Sequence, residues 1–418
     1  MATPGPDFDA LPRERLLPVA LETMHVGHLL DRALMPHVAI AAGNAASVES
    51  VAIDEWMGAS PVYTGRMRRL MRIEGDGVDA IMKALQLDVG FPHQYMDVGY
   101  ELIDARHGAF WLRHCGALMD VEPHGVERVI GMCHTIEDPT FDATAYATNP
   151  RARVRPVHRP PRAPADRVPH CHWSIAIDPA NEPVGPAKHT GAVAALPLAR
   201  IANARRPEPD AKGMTDYRGG FDPEFKLGKL SSATLAAVAR EFHVQSHLLS
   251  SSAELALAER FGAAKAREIL EAQWVAIGWV ASQRLARALG VEGRAGALAD
   301  VLRLHPALPP GFARSVEAGP RRVRLALEPA SSDLLDPANP GWLGVLLRGA
   351  ARGLEALARA IDPGARVAAL ETREGRIAVD FAIEPGAAPA PAPKEAAFMQ
   401  LSTATAWVFD TSEARLGR

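Results

Sequence analysis

A chain of 418 residues with 48% hydrophobic content holds apolar material for two ordinary cores, and its net charge of −3 lacks the basic excess that nucleic-acid binding needs. Residues 1–15 carry no apolar signal core, and no apolar run reaches the length of a membrane span. Three cysteines are odd in number and too few for a disulfide framework, so free thiols in a reducing, cytoplasmic setting are expected.

In chain order, Leu17, Leu21, Met24, His28 and Met35 recur near helical spacing and predict a helix over 14–45. A second helix is expected over 47–72 and a short third over 77–87. The period then changes to that of strands, at 95–103 and 109–115, joined by a turn ending in Gly108. Residues 127–148 read as partly helical, with Pro139 starting, kinking or interrupting the helix. Strands at 154–158 and 171–178 suggest a second hairpin. Residues 179–229 are rich in Pro, Gly and polar residues and read as a linker.

The order then recurs. Helices are expected at 231–260, 263–289, 295–304 and 340–361, with hairpins at 312–328 and 367–383. His25 and His243, Trp56 and Trp274, and Arg66 and Arg284 share one offset of 218 residues without a gap. The expectation is an α+β fold of two tandem similar units, each of helices plus two β-hairpins, packed as a pseudo-dimer. Its parts would be a Cys/His-rich unit (1–178), a linker (179–229), a degenerate second copy (230–384), and a Pro/Ala-rich linker with a C-terminal tail (385–418). The tail carries Phe398, Trp407, Val408 and Phe409 and is expected to dock on the body.

All three cysteines lie in the first copy, each beside a histidine: His114-Cys115, Cys133-His134 and His170-Cys171-His172. Twelve of the 15 histidines precede residue 190, so chemistry is expected there. Thiolate and imidazole together suit zinc, and also iron. No CxxC spacing is present, so a site would be assembled from separate elements and would resemble an open, catalytic one. Cys115, Cys133, His134, Cys171 and His172 are the candidate ligands. Glu137 or Asp138 is the candidate general base, and Arg113 or Arg155 the group that holds a substrate carboxylate. Adjacent strand residues face opposite ways, so His114 and Cys115 cannot share a pocket, nor Cys171 and its flanking histidines. Two other readings stay open: a metal-free cysteine nucleophile, and plain packing of small core thiols.

Other motifs read less specifically. Glu22 and His25, with His28, show the spacing of a di-iron helix, but no second ExxH completes the set. Asp138 before Pro139 also fits a helix N-cap. Arg151, Arg153, Arg155, Arg159 and Arg162 form a basic run that would line a pocket or edge a hairpin. There is no P-loop, dinucleotide fingerprint, GxSxG elbow or HExxH.

The stretches Gly108-Ala-Phe-Trp-Leu-Arg-His-Cys115 and Gly131-Met-Cys133, with the order of elements around them, resemble the 2-aminothiazoline-4-carboxylate hydrolase-like family and the related 4-vinyl-reductase-type ligand-binding domains. In those families the unit is single, whereas here it is double. The resemblance implies a hydrolase or small-molecule binder using cysteine chemistry or a metal.

The leading expectation is therefore a metal-dependent hydrolase, with zinc as the metal, opening a ring or cleaving a C–N bond in a small, carboxylate-bearing molecule. The alternatives are a non-enzymatic small-molecule or metal-responsive binding protein and a metal-free cysteine hydrolase. A small molecule is the expected partner, with neither nucleic acid nor membrane; self-association is compatible with the pattern.

Overall fold

The computed structural model describes residues 5–389 and 391–399. It opens with two long helices, α1 (Arg13–Ala42) and α2 (Ala45–Met71), and a short α3 (Val78–Leu85). Gly43, at φ 69°, ends α1, and the Asn44 side chain caps α2 by accepting the Ser47 amide at 2.9 Å. Pro61 cannot donate to the carbonyl of Met57, which instead accepts the Thr190 hydroxyl at 3.2 Å.

A hairpin follows, β1 (Met96–Leu102) and β2 (His107–Cys115), and then an almost continuous helical run. The run comprises α4 (Gly116–Val121), α5 (Val126–Ile130), a π turn over Gly131–Ile136, and α6 (Glu137–Tyr146). The π turn leads directly into α6, so Asp138 is not the N-cap that its sequence suggests. The wide turn lies just before Pro139, where the α-helical bond is lost anyway. Strands β3 (Ala152–His158) and β4 (Cys171–Ile177) complete the first half.

The segment expected to be a linker is a strap with its own buried side chains. It holds α7 (Thr190–Ala195) and α8 (Pro197–Arg200), and it buries Val193, Leu198, Tyr217 and Phe225. Tyr217 donates its hydroxyl to Gln86 at 2.8 Å.

The second half repeats the order with α9 (Ser232–Phe261), α10 (Ala263–Leu289) and α11 (Ala297–Leu304), then β5 (Phe312–Ala318) and β6 (Arg322–Pro329). The single helix expected over 340–361 is two, α12 (Trp342–Leu347) and α13 (Arg352–Arg359). The break falls at Gly349, whose φ of 91° is left-handed. Strands β7 (Ala365–Arg373) and β8 (Arg376–Ile383) follow, and α14 (Lys394–Met399) docks on α10 and α1. The side chain of Phe398, with Trp407, Val408 and Phe409, lies outside the described residues.

The fold is α+β, with two four-stranded antiparallel sheets. Their strand orders are β1-β2-β4-β3 and β5-β6-β8-β7, the same order in each half. Each sheet turns one face to the core; along β4 this is Cys171, Trp173, Ile175 and Ile177. The long helices lie between, α1 against α9 and α10, and α2 against α9. One apolar cluster runs from the first sheet through these helices to the second, so the halves share a core.

Two ion pairs cross the helical seam reciprocally. Arg66 on α2 donates to both oxygens of Glu241 on α9 at 2.6 and 3.0 Å. Arg284 on α10 donates to both oxygens of Glu22 on α1 at 2.5 and 3.0 Å. Among the described residues, no helix is long and apolar enough to cross a membrane.

Candidate functional site: a cavity in the first half

A cavity of about 370 Å³ lies in the first half, between α1, α2, the core face of the first sheet and the helical run after β2. Its walls are largely apolar, with Met35, Val48, Phe91, Met132, Phe141 and Trp173 among them. Small residues leave the space: Ala45 and Ala52 on α2, Ala117 on α4 and Gly131 in the π turn. A side chain at Gly131 would begin 2.5 Å from the Glu49 carboxylate, so the π turn lies close against α2 there and a larger residue would push the Glu49 side chain aside. His124, Glu127 and Arg128 are exposed and form the rim.

The inner end is polar. His28 donates from Nε2 to the Gly90 carbonyl at 2.9 Å; a carbonyl can only accept, so this bond fixes the tautomer. Nδ1 is therefore an acceptor, and it is buried without a partner. Burial, and next Arg32, lowers the His28 pKa, which keeps the ring neutral. Asp31 pairs with Arg32, whose Nε stands 4.0 Å from Asp120; Tyr95 donates to that same Asp120 carboxylate. Tyr63 and the Gly90 amide donate to Asp88 at 3.0 and 2.7 Å. Burial still outweighs these bonds and raises Asp88 to about 6.

Glu137 also lines the cavity, and its Oε2 is buried without a hydrogen-bond partner. Burial lifts its carboxyl to about 8, against a smaller opposing pull from Arg159. Cys171 lines the cavity beside it, and Cys115 and Cys133 lie close enough to sense the Glu137 charge. All three thiols are buried and free. Burial pushes Cys115 up to about 12 and holds Cys133 and Cys171 well above the usual thiol range. Cys115 also caps α4, accepting the Leu118 amide at 3.4 Å.

The structure thus brings four of the nine sequence-predicted site residues together: Cys115, Cys133, Cys171 and Glu137. The other five lie elsewhere. His134 donates to the Pro160 carbonyl at 2.7 Å. His172 is on the opposite face of β4 from Cys171, edge-on to Trp111 and His158. Asp138 pairs with Arg159, Arg113 with Asp97 at 2.8 Å, and Arg155 with Asp142 at 2.9 Å. The basic run does not line the cavity. Its members tie the second hairpin to its surroundings, for example Arg162 to Glu122 at 2.6 Å. No group of three or more His, Cys, Asp and Glu is gathered in metal-binding fashion among the described residues. Glu22 is bound to Arg284 and the His25 ring packs tilted against Tyr95 at 5.0 Å, so the di-iron spacing does not form a site.

Sequence reasoning missed Asp31, Arg32, Tyr63 and Asp88. Their one signal was a charged pair, Asp31-Arg32, inside an otherwise apolar stretch of α1. A second hollow of about 290 Å³ lies elsewhere, between α10, α13 and Pro391–Glu395. No family model matches the chain, and neither a curated protein nor a solved structure does.

Proposed function

We propose that the first half binds a small, largely apolar organic molecule that carries one polar group. The observation behind this reading is the cavity itself, apolar-walled with a few convergent polar groups, which is the usual build of a ligand site. The second half has the same order of elements, but there the corresponding space is filled. Trp342 stacks on Trp274 at 5.4 Å, and Gly278 lets α10 meet the backbone of α13 at Gly353. The test is a thermal-shift and native mass-spectrometry screen of small molecules against the full chain and Ala52→Leu, which places bulk inside the cavity. Ligands that stabilise the parent and fail on the variant support the reading. Ligands that bind both equally sit elsewhere and overturn it.

A hydrolytic role in the same cavity is the second reading, favoured by Glu137. A carboxyl that is uncharged near neutral pH and faces a ligand space can exchange a proton with the ligand. The three high thiol pKa values argue against a cysteine nucleophile. A metal-assisted version would require His134 to leave the Pro160 carbonyl, or His172 to change faces of β4. Ligand recovered chemically unchanged after long incubation removes the hydrolytic reading and leaves binding intact.

A further inference from the structure

The chemistry of the cavity also indicates which polar group its ligand bears; this step rests on the binding reading above. Five carboxyl groups line the cavity against two guanidinium groups. One guanidinium, Arg128, is at the exposed rim, and the other, Arg32, is already held by Asp31 with Asp120 behind it. The interior therefore has spare carboxyls and no spare cation. Its unpartnered buried groups are two acceptors, Nδ1 of His28, which is only 7% exposed, and Oε2 of Glu137, and two donors, Nε of Arg32, which faces Asp120 at 4.0 Å, and Nε1 of Trp173, which lies against the Cys171 thiol. A buried acceptor without a donor costs free energy that a ligand N–H recovers. The walls supply aromatic rings from Trp56, Phe91, Phe141 and Trp173, whose faces attract an organic cation.

We infer that the ligand is a small organic amine, bound as its ammonium ion, with the charged nitrogen at Glu137 and the apolar body among the aromatic walls. A bare metal ion would leave most of about 370 Å³ unfilled, and an anion would meet spare carboxyls. Glu137 is faced by Arg159 from the loop between β3 and β4, by Asp138 on its own helix, and by the thiols of Cys115, Cys133 and Cys171. Only Arg159 is cationic in that set, and it is engaged by Asp138. An arriving ammonium therefore favours ionisation of Glu137, and binding near pH 7 releases a proton.

The experiment is calorimetry on the full chain with three probes of one skeleton: 2-phenylethylamine, 2-phenylethanol and 3-phenylpropionate. The amine is expected to bind about tenfold or more tightly than the alcohol, and the acid more weakly than both. Titration in buffers of different ionisation enthalpy should show about one proton released per amine bound. In Glu137→Gln the advantage of the amine over the alcohol and the proton release should both vanish. An alcohol or acid that binds the parent as tightly as the amine, and is lost in Ala52→Leu, overturns the amine inference and leaves the cavity reading standing. Binding of none of the three overturns the inference and removes this ligand size from the cavity reading as well.

Discussion

The two halves set similar elements in the same order and differ in what fills the space between helix and sheet. Counting 218 residues on from Trp56, Ala52, Ser60 and Glu55 gives Trp274, Leu270, Gly278 and Gln273. In the second half, Leu270 and Trp274 are fully buried, Trp342 covers Trp274, and Gly278 and Gly353 bring the helices into backbone contact. In the first half, Ala52 lines the cavity, which lies between α1, α2, the sheet and the helical run after β2 although α6 touches α2. The polar residues follow the same division. Gln273 donates its amide to the Leu30 carbonyl at 3.0 Å; its Oε1 is also buried without a partner, but the group carries no charge. Glu55 is equally buried, has an unpartnered oxygen, and is pushed well above the carboxylate range by burial and by Asp31. The first half thus keeps a hollow between helices and sheet with buried acids beside it, while the hollow of the second half lies between α10, α13 and residues 391–395. Retained buried polarity without a packing benefit is what a functional site costs.

The sharpest way to test this contrast is to hollow out the second half. Trp342→Ala removes a stacked ring and the hydrogen bond from its indole N–H to the Ala307 carbonyl at 2.7 Å. It should cost about 5 kcal/mol, the top of the range for deleting a buried aromatic, measured by urea unfolding. A loss below about 1 kcal/mol would mean the second half is not tightly packed there. The seam ion pairs come next. Arg66→Ala strands Glu241, which is 1% exposed, and should cost about 4 kcal/mol. Arg284→Ala strands Glu22, which is 23% exposed and can reach water, and should cost clearly less. Equal losses would show that exposure does not distinguish the two pairs.

Much of this contrast can be read from the chain, and some cannot. The long helices and both pairs of hairpins are legible from hydrophobic period and turn signals, although α9 buries every residue from Thr234 to Glu254 and has no single inner face. The break of α12 from α13 escapes because Leu343, Leu346, Leu354 and Leu357 keep helical phase across Gly349. The neighbouring Cys and His of the first half catch the eye, yet strand alternation sends His172 away from Cys171, and a carbonyl of another loop takes His134. A cavity leaves the weakest trace of all. It arises from Ala52, Ala117 and Gly131 on three separated elements, and periodicity records which residues face inward, not whether they meet.

The next effect depends on pH. Burial lifts the Glu137 carboxyl to about 8, above its unfolded value near 4.3. Its contribution is therefore fully present below about pH 4 and is lost as the pH rises toward 8, because the unfolded chain ionises where the native one does not. Arg159 opposes this trend, and Asp138 adds to it. Glu137→Gln cannot ionise, so its stability relative to the parent should improve between pH 5 and pH 8, on the order of 2 kcal/mol. Unfolding curves at the two pH values measure it, and a parallel pH dependence in the two proteins would place Glu137 in contact with water.

The smallest expected change in stability is also the most discriminating. Ala52→Leu puts into α2 the residue type found 218 positions on in α10, at Leu270. Leucine is nearly as good a helix former as alanine, and the new side chain enters empty space, so no strain is expected. Burying its added carbons should leave stability within about 1 kcal/mol of the parent, with any change on the stabilising side. The reverse exchange, Leu270→Ala, deletes the same atoms from a filled core and should cost about 2–5 kcal/mol. If the halves were equally packed, both substitutions would destabilise, the first by overpacking and the second by a void. Opposite signs would show that the space in the first half is one the fold keeps open at its own expense, and loss of ligand in the more stable variant would show what it is kept open for.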